Sequence, residues 1–470
     1  MNYNTLSGSA KFYKKAGLLA TGQMVTEGEM PNIAIITTLT PFENKRLVNS
    51  VGYGVRHSGG AVGVYYTQMF GSSNRLNPMT AKFATSFTDT TARNTEAIIK
   101  TNMIDGVVAV TDCPITAMGI IQGCSRVNCP VLVVPVGVSC VDTEPLRLLG
   151  KITNAKQLDA IMNTVNLPNG IPNNLNTVST FFLLAESMGL AVPSAGTGTA
   201  NSGEHFRTAV ITGEQIVKNA KDVLFPKKFL TKSHFANTTA LCLSINGNIS
   251  ALKMWESLSQ QKIEFPTTPL FNVEIKDIQV LPMLKQLSQT PKLIDGMALM
   301  YNGEKLKNYE NISEFETIKR QSVIPCKGFI SGYAQPQQNT PPSFSGRAWV
   351  YDGIEAADKA LLSGGVPANS VIVVQNCVDM DISALVNIIE GANRTQEIAV
   401  ITDGYAEKSD TLIVTHCTPS THENEDFANI QTGDIIEIDL SKGRLNTNVS
   451  AKDFKTRAKK NSVKKLNFYF

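Results

Sequence analysis

From residue 31 onward, short aliphatic and β-branched runs alternate with stretches whose apolar positions recur every three or four residues. Asn32-Ile-Ala-Ile-Ile, Ala61-Val-Gly-Val-Tyr-Tyr, Gly106 to Val110 and Pro130-Val-Leu-Val-Val-Pro-Val read as strands. The intervening stretches 42 to 58, 90 to 103 and 115 to 127 read as helices. Strands that are apolar at consecutive positions are buried on both faces, and a single helix between successive strands implies right-handed crossovers in a parallel sheet. The expected fold class is therefore α/β, with an N-terminal α/β/α domain.

Helical periodicity takes over in Asn176 to Leu190, Glu204 to Val223 and Thr238 to Gln260, a layer expected to cover the sheet. The polar, Pro-rich run Gln335-Pro-Gln-Gln-Asn-Thr-Pro-Pro-Ser marks another change. Beyond it, Ala348-Trp-Val-Tyr, Val371-Ile-Val-Val, Glu397-Ile-Ala-Val-Ile, Thr411-Leu-Ile-Val and Asp434 to Leu440 read as strands, with helices at 354 to 363 and 382 to 391. The pattern predicts a domain of residues 1–320, a β-rich domain of residues 321–451 and a tail of residues 452–470.

A chain of 470 residues with 42% hydrophobic content can bury cores of two domains. Formal charge is +3, but seven basic residues (Lys452, Lys455, Arg457, Lys459, Lys460, Lys464 and Lys465) fall in the tail against Asp453 alone. The remainder is close to neutral, without the broad cationic field that nucleic-acid binding requires. The tail reads as a solvated helix with a frayed end, or, through Phe468, Tyr469 and Phe470, as a docking segment. No secretory leader is recognisable at the N-terminus, and no apolar run reaches the roughly 18 residues of a transmembrane span. Eight cysteines without CxxC pairs suit a reducing compartment, so a cytoplasmic location is expected.

Cys113 closes the strand Gly106 to Val110 and precedes a helix that opens on Pro114. Parallel α/β folds bind ligands at such strand exits. A helix N-terminus would lower the pKa of a thiol there, and a histidine brought close by folding, His416 or His205, would complete a nucleophilic pair. The opposing reading is an inert, packed thiol. Ser194-Ala-Gly-Thr-Gly-Thr-Ala-Asn is a second candidate: Ser194, Thr197, Thr199 and Asn201 with two glycines could wrap an anion through backbone N–H groups, or simply form a tight turn. Other polar residues expected near the strand exits are Asn248, Ser250, Asn376, Cys377, Asp403, His416 and Cys417. Neither GxGxxG after a strand nor GxxxxGK[ST] occurs.

Several separated segments resemble the dihydroxy-acid and phosphogluconate dehydratases. They include Pro31-Asn-Ile-Ala-Ile-Ile-Thr-Thr-Leu-Thr-Pro, Gly106 to Ile121, Ala185-Glu-Ser-Met-Gly-Leu-Ala-Val-Pro-Ser, Ala348-Trp-Val-Tyr-Asp-Gly-Ile-Glu-Ala-Ala-Asp, Ile401-Thr-Asp-Gly, Thr415-His-Cys-Thr-Pro and Thr432-Gly-Asp-Ile-Ile-Glu-Ile-Asp-Leu. The resemblance implies a C-terminal β-barrel-like swivelling domain, self-association, and in the family an iron–sulfur cluster and magnesium that together remove water from a hydroxy acid. It also implies a pattern of loss. The family's cluster cysteines fall on Phe42, Cys113 and the neighbourhood of Pro172, so only Cys113 remains. Its carbamylated, magnesium-binding lysine falls on Ile115, its metal-binding glutamate on Asn376, and its proposed serine base lies in the loop after Asp403, where no equivalent serine stands. The expectation is a degenerate member without cluster or magnesium, serving as a binding or structural subunit of a homo-oligomer or beside an active relative, with a small hydroxy acid as possible ligand. The alternative is a hydro-lyase or other enzyme with a repurposed pocket around Cys113, Asn376, Asp403 and His416.

Overall fold

A computed structural model describes residues 8–20, 30–38, 45–67, 84–139, 170–310, 314–318, 322–378, 380–418, 426–450, 452–454 and 456–457. Phe42 and most of the basic tail lie outside these residues, and the side chain of Pro172 is not described.

The N-terminal domain is built on four parallel strands, β1 (Asn32–Thr37), β2 (Ala61–Tyr66), β3 (Gly106–Val110) and β4 (Val131–Val134), in the order β2-β1-β3-β4. Register is set by pairs such as Ile35 with Val64 and with Val108. Every residue of β1, β3 and β4 is buried, as a sheet covered on both faces requires. The edge strand β2 departs from this, alternating toward exposure from Gly63 onward. Helices Lys45–His57 and Gly203–Lys221 pack together so closely that a Cβ on Gly54 would sit 2.0 Å from the Val210 carbonyl oxygen. Only glycine permits that approach.

The helical layer centres on Thr177–Ser187, buried along its whole length. Phe181 stacks on Trp255 at 4.8 Å, and the Trp255 indole donates to the Phe181 carbonyl at 3.1 Å. The periodicity expected to run unbroken from Thr238 to Gln260 is instead two helices, Lys232–Ser244 and Ile249–Ser259. The break lies at Asn246-Gly247-Asn248, where Asn246 adopts φ +53° and Asn248 caps the second helix through its side chain.

Eight strands from Ile324 to Thr447 close into a barrel, with parallel pairing of Ser343–Asp352, Ser370–Gln375, Ile398–Thr402 and Leu412–Thr418 in succession and antiparallel closure through Ile435–Asp439. Val371 and Val373 point into the barrel core while Ile372 and Val374 pack with helices Ile354–Leu362 and Ser383–Gly391. The start of the basic stretch is docked on this barrel, with Phe454 in its core and Arg457 paired with Asp434 at 2.7 and 3.0 Å. Among the described residues no helix is long and apolar enough to cross a membrane.

Candidate functional site

Cys113 stands where its position in the chain places it, as the N-cap of Pro114–Arg126 with Pro114 in the first turn. It is only 1% exposed. Its backbone N–H donates to the Thr111 hydroxyl at 3.1 Å. Burial pushes its thiol up to about 11, against the lowering that the helix N-terminus was expected to give. A protonated, enclosed thiol is a weak nucleophile. The two histidines weighed as its partners are engaged elsewhere: His205 bonds the Pro135 carbonyl at 2.9 Å, and His416 meets Ser250.

On the same helix, Ile115 in its first turn and Met118 one turn further reach a cavity of about 370 Å³ between the two domains. The N-terminal domain supplies Thr85, Thr88, Asp89, Gln122, Ser250, Lys253 and Met254, and the barrel supplies Tyr405 and His416. Ser250 enters because the chain breaks at Gly247. The Asn248 side chain accepts from the Ser250 N–H at 2.8 Å and donates to the Ala406 carbonyl of the barrel at 3.3 Å. The Ser250 hydroxyl and His416 Nε2 lie 3.0 Å apart across the domain boundary. His416 has φ +51°, its N–H bonds the Gly404 carbonyl at 2.8 Å, and its ring is stacked on Tyr405. Burial, with the Lys253 ammonium beside it, pushes His416 down to about 3, so the imidazole is neutral at ordinary pH.

Charge in the cavity is unevenly answered. Asp89 is held by Arg126 at 2.9 Å and Arg93 at 2.7 Å, which keep its carboxyl below the usual range. The Lys253 ammonium lies 2.9 Å from Glu256 and 5.1 Å above the Tyr333 ring.

The other residues singled out from the sequence are distributed differently. Asn376 is exposed, at φ +58°, and donates to Asp352 at 2.7 Å. Asp403 is buried and accepts the Cys377 N–H at 2.9 Å, tying two strand exits together. Cys417 faces the barrel core. Of Cys113, Asn376, Asp403 and His416, only His416 lines the cavity. In the loop after Val192, the N–H groups of Ser194 and Gly196 donate to the Glu186 carboxylate at 3.2 and 2.8 Å. The group cradled there is the protein's own carboxyl, which burial raises to about 8. Thr199 bridges to Val138, and Thr197 and Asn201 do not reach Glu186 through any of these bonds. Among the described residues no cluster of three or more His, Cys, Asp or Glu side chains could hold a metal ion.

A second set of contacts fastens the barrel to the helical layer beside the cavity. Asn176 donates to Glu407 at 3.1 Å, Gln335 bonds the Ile249 N–H at 2.8 Å and the Gly247 carbonyl at 2.7 Å, and Lys408 donates to the Asn246 carbonyl. Burial, reinforced by Asp381, raises Glu407 to about 7, and burial lowers Lys408 to about 8.

Comparison with known proteins gives this architecture its place. The family model described as Dihydroxy-acid/6-phosphogluconate dehydratase N-terminal matches residues 31–253, and its C-terminal counterpart matches residues 328–469. The chain belongs to this dehydratase family. It is 22% identical to the dihydroxy-acid dehydratase of Methanococcoides burtonii, with 97% of this chain and 94% of that protein covered. Against the dihydroxy-acid dehydratase of Methanococcus maripaludis it is 23% identical with the same coverage, and against that of Pyrococcus abyssi 22% identical over 88% of this chain and 86% of the other. The two matched regions contribute the two walls of the cavity, Ser250 from the first and His416 from the second.

Proposed function

We propose that this dehydratase-family chain is degenerate for metal-dependent dehydration and acts as a binding or structural subunit, in a homo-oligomer or beside an active relative. The observation that carries the reading is Ile115. The resemblance assigns its position to a lysine that is carbamylated to hold magnesium, and here a branched hydrocarbon lies on the cavity wall. An isoleucine has no electron pair to offer a cation. Cys113, at the retained cluster position, is enclosed with its thiol pushed up to about 11, and a cluster needs several thiolates. The described donors therefore do not fit either inorganic group.

What the cavity offers instead is hydrogen bonding against an apolar wall: Ser250, His416, Tyr405 and Gln122 face Ile115, Met118 and Met254, with Lys253 as a cation. Such a lining suits a small hydroxy acid, its carboxylate toward Lys253 and its carbon chain on Ile115. The decisive test is purification without oxygen followed by iron and sulfide analysis. The expected preparation is colourless with neither element in stoichiometric amount, and a stoichiometric cluster refutes the reading. A repurposed enzyme is the second reading, favoured by the Ser250–His416 contact.

A further inference from the structure

We infer that Ser250 and His416 form a metal-free acyl-transfer pair, with Ser250 as nucleophile and His416 as its general base, acting on small esters or thioesters. The inference rests on the second reading above, that of a repurposed enzyme, and goes beyond the binding or structural one. Several observations converge on it. The Ser250 hydroxyl and His416 Nε2 are at hydrogen-bonding distance, 3.0 Å, inside a cavity of about 370 Å³ that both residues line. A nucleophile and base within about 2.6–3.2 Å, with the base held by a third group, is the arrangement that activates serine. Here the imidazole packs against the Tyr405 ring, with centroids 6.3 Å apart and planes 19° apart.

Ser250 is also the second residue of the helix Ile249–Ser259, whose N-terminal end favours the developing alkoxide. One turn further, Lys253 adds an ammonium to the same cavity, the group that would stabilise negative charge on the acyl oxygen. Finally, His416 is held at φ +51°, a region a β-carbon makes costly by about 1–3 kcal/mol, and such strain persists where the surroundings impose it. The imposing contact is its N–H bond to Gly404.

In the first half-reaction Ser250 Oγ attacks the acyl carbon and its proton passes to His416 Nε2, the other ring nitrogen carrying the second proton. The bond to the leaving alcohol or thiol breaks, and that group departs with the proton from Nε2. Water then attacks the acyl-serine by the same route, releasing the carboxylic acid and returning a proton to Ser250. No oxidant, metal or further reactant is needed.

The test uses the full chain with p-nitrophenyl acetate, following p-nitrophenol release and the mass of the intact protein. One acetyl group per chain, mapped to Ser250, is expected. Ser250→Ala should remove it, and His416→Gln, whose amide can still bond Ser250 but cannot take up its proton, should slow acylation roughly 10²-fold or more. Circular dichroism and the melting temperature of both variants establish that the fold is intact. If either variant fails to fold, the site of acetylation in the unaltered chain decides: acetyl on Ser250 supports the pair, and acetyl on lysines alone overturns it. Absence of an acyl-serine, acetylation confined to lysines, or unchanged acylation in Ser250→Ala overturns the inference and leaves the contact as a bond between domains.

Discussion

Glu407 offers a quantitative handle on how the two domains are held together. Its carboxyl accepts from Asn176, the N-cap of the central helix, and its N–H donates to the Ser383 hydroxyl at 2.7 Å, so it touches both domains. The titratable groups facing it are Asp381, on its own domain, and Lys408, its chain neighbour. Burial and the like charge of Asp381 raise it from 4.5 to about 7. That difference corresponds to ~3 kcal/mol between its protonated and ionised forms, and partial exposure reduces the usable figure to about 2. The folded state binds the proton more tightly than the unfolded chain does. The contribution is therefore fully present below about pH 4.5 and is lost as pH rises through about 7. Glu407→Gln keeps an oxygen for Asn176 and removes the titration. Urea unfolding of both proteins at about pH 5, 7 and 9 should show near-equal stability at the low end and the variant ahead by about 2 kcal/mol at the high end. Comparing the two proteins at each pH cancels the titration of Glu186, which burial raises to about 8; Lys408, whose charge Glu407 favours, loses that support in the variant, so the comparison is read below its pKa of about 8 as well as at about pH 9. Parallel pH curves for variant and parent would refute the assignment.

The packed thiol of Cys113 should resist iodoacetamide at about pH 8 in the native chain and react on unfolding, and modification at the rate of a free cysteine would contradict its enclosure. Cys113→Ser should cost no more than about 2 kcal/mol, read from urea midpoints, because the change is nearly isosteric and removes only a small buried hydrophobe. Gly54→Ala should destabilise the chain by about 3 kcal/mol or more, since its Cβ would overlap the Val210 carbonyl of the crossing helix; a melting temperature within error of the parent would show that the two helices separate freely.

Legibility in the sequence followed the range of the interactions involved. β1, β2 and β3 were readable to within a residue because runs such as Ile33-Ala-Ile-Ile and Val107-Val-Ala-Val carry their own burial pattern. One misplaced helix is instructive. Apolar periodicity continued through Ser244 to Ser250, but Asn246-Gly247 is a turn signal, and a side chain at Gly247 would meet Cys242 and Thr180 at 2.9 Å. Giving that dipeptide more weight would have started a helix at Ile249 and placed Ser250 at its amino end. The role of Glu186 was beyond such reasoning: its carboxylate meets amides eight and ten residues away only because Pro193 to Thr197 folds back over the central helix. Likewise the nearness of Ser250 and His416, 166 positions apart, is a product of domain docking. Cys113 stood out by its place at a strand exit, yet exposure is decided by what packs over the exit, which no local pattern records.

The scaffold and the chemistry at its strand exits answer to different forces, and Ile115 shows how they can separate. Strand registers are fixed by residues such as Val107, Leu132, Val371 and Ile372, whose fully buried side chains would change faces if a strand slipped by one position. None of those contacts constrains which residue stands just beyond the strand. A lysine at position 115 would be charged and close to Lys253, and would need a partner or a metal to offset its desolvation. Isoleucine needs neither and packs against the apolar side of the cavity. An apolar side chain at this exit is thus compatible with a stable fold, while the hydroxyl, imidazole and ammonium groups of Ser250, His416 and Lys253 line the same cavity.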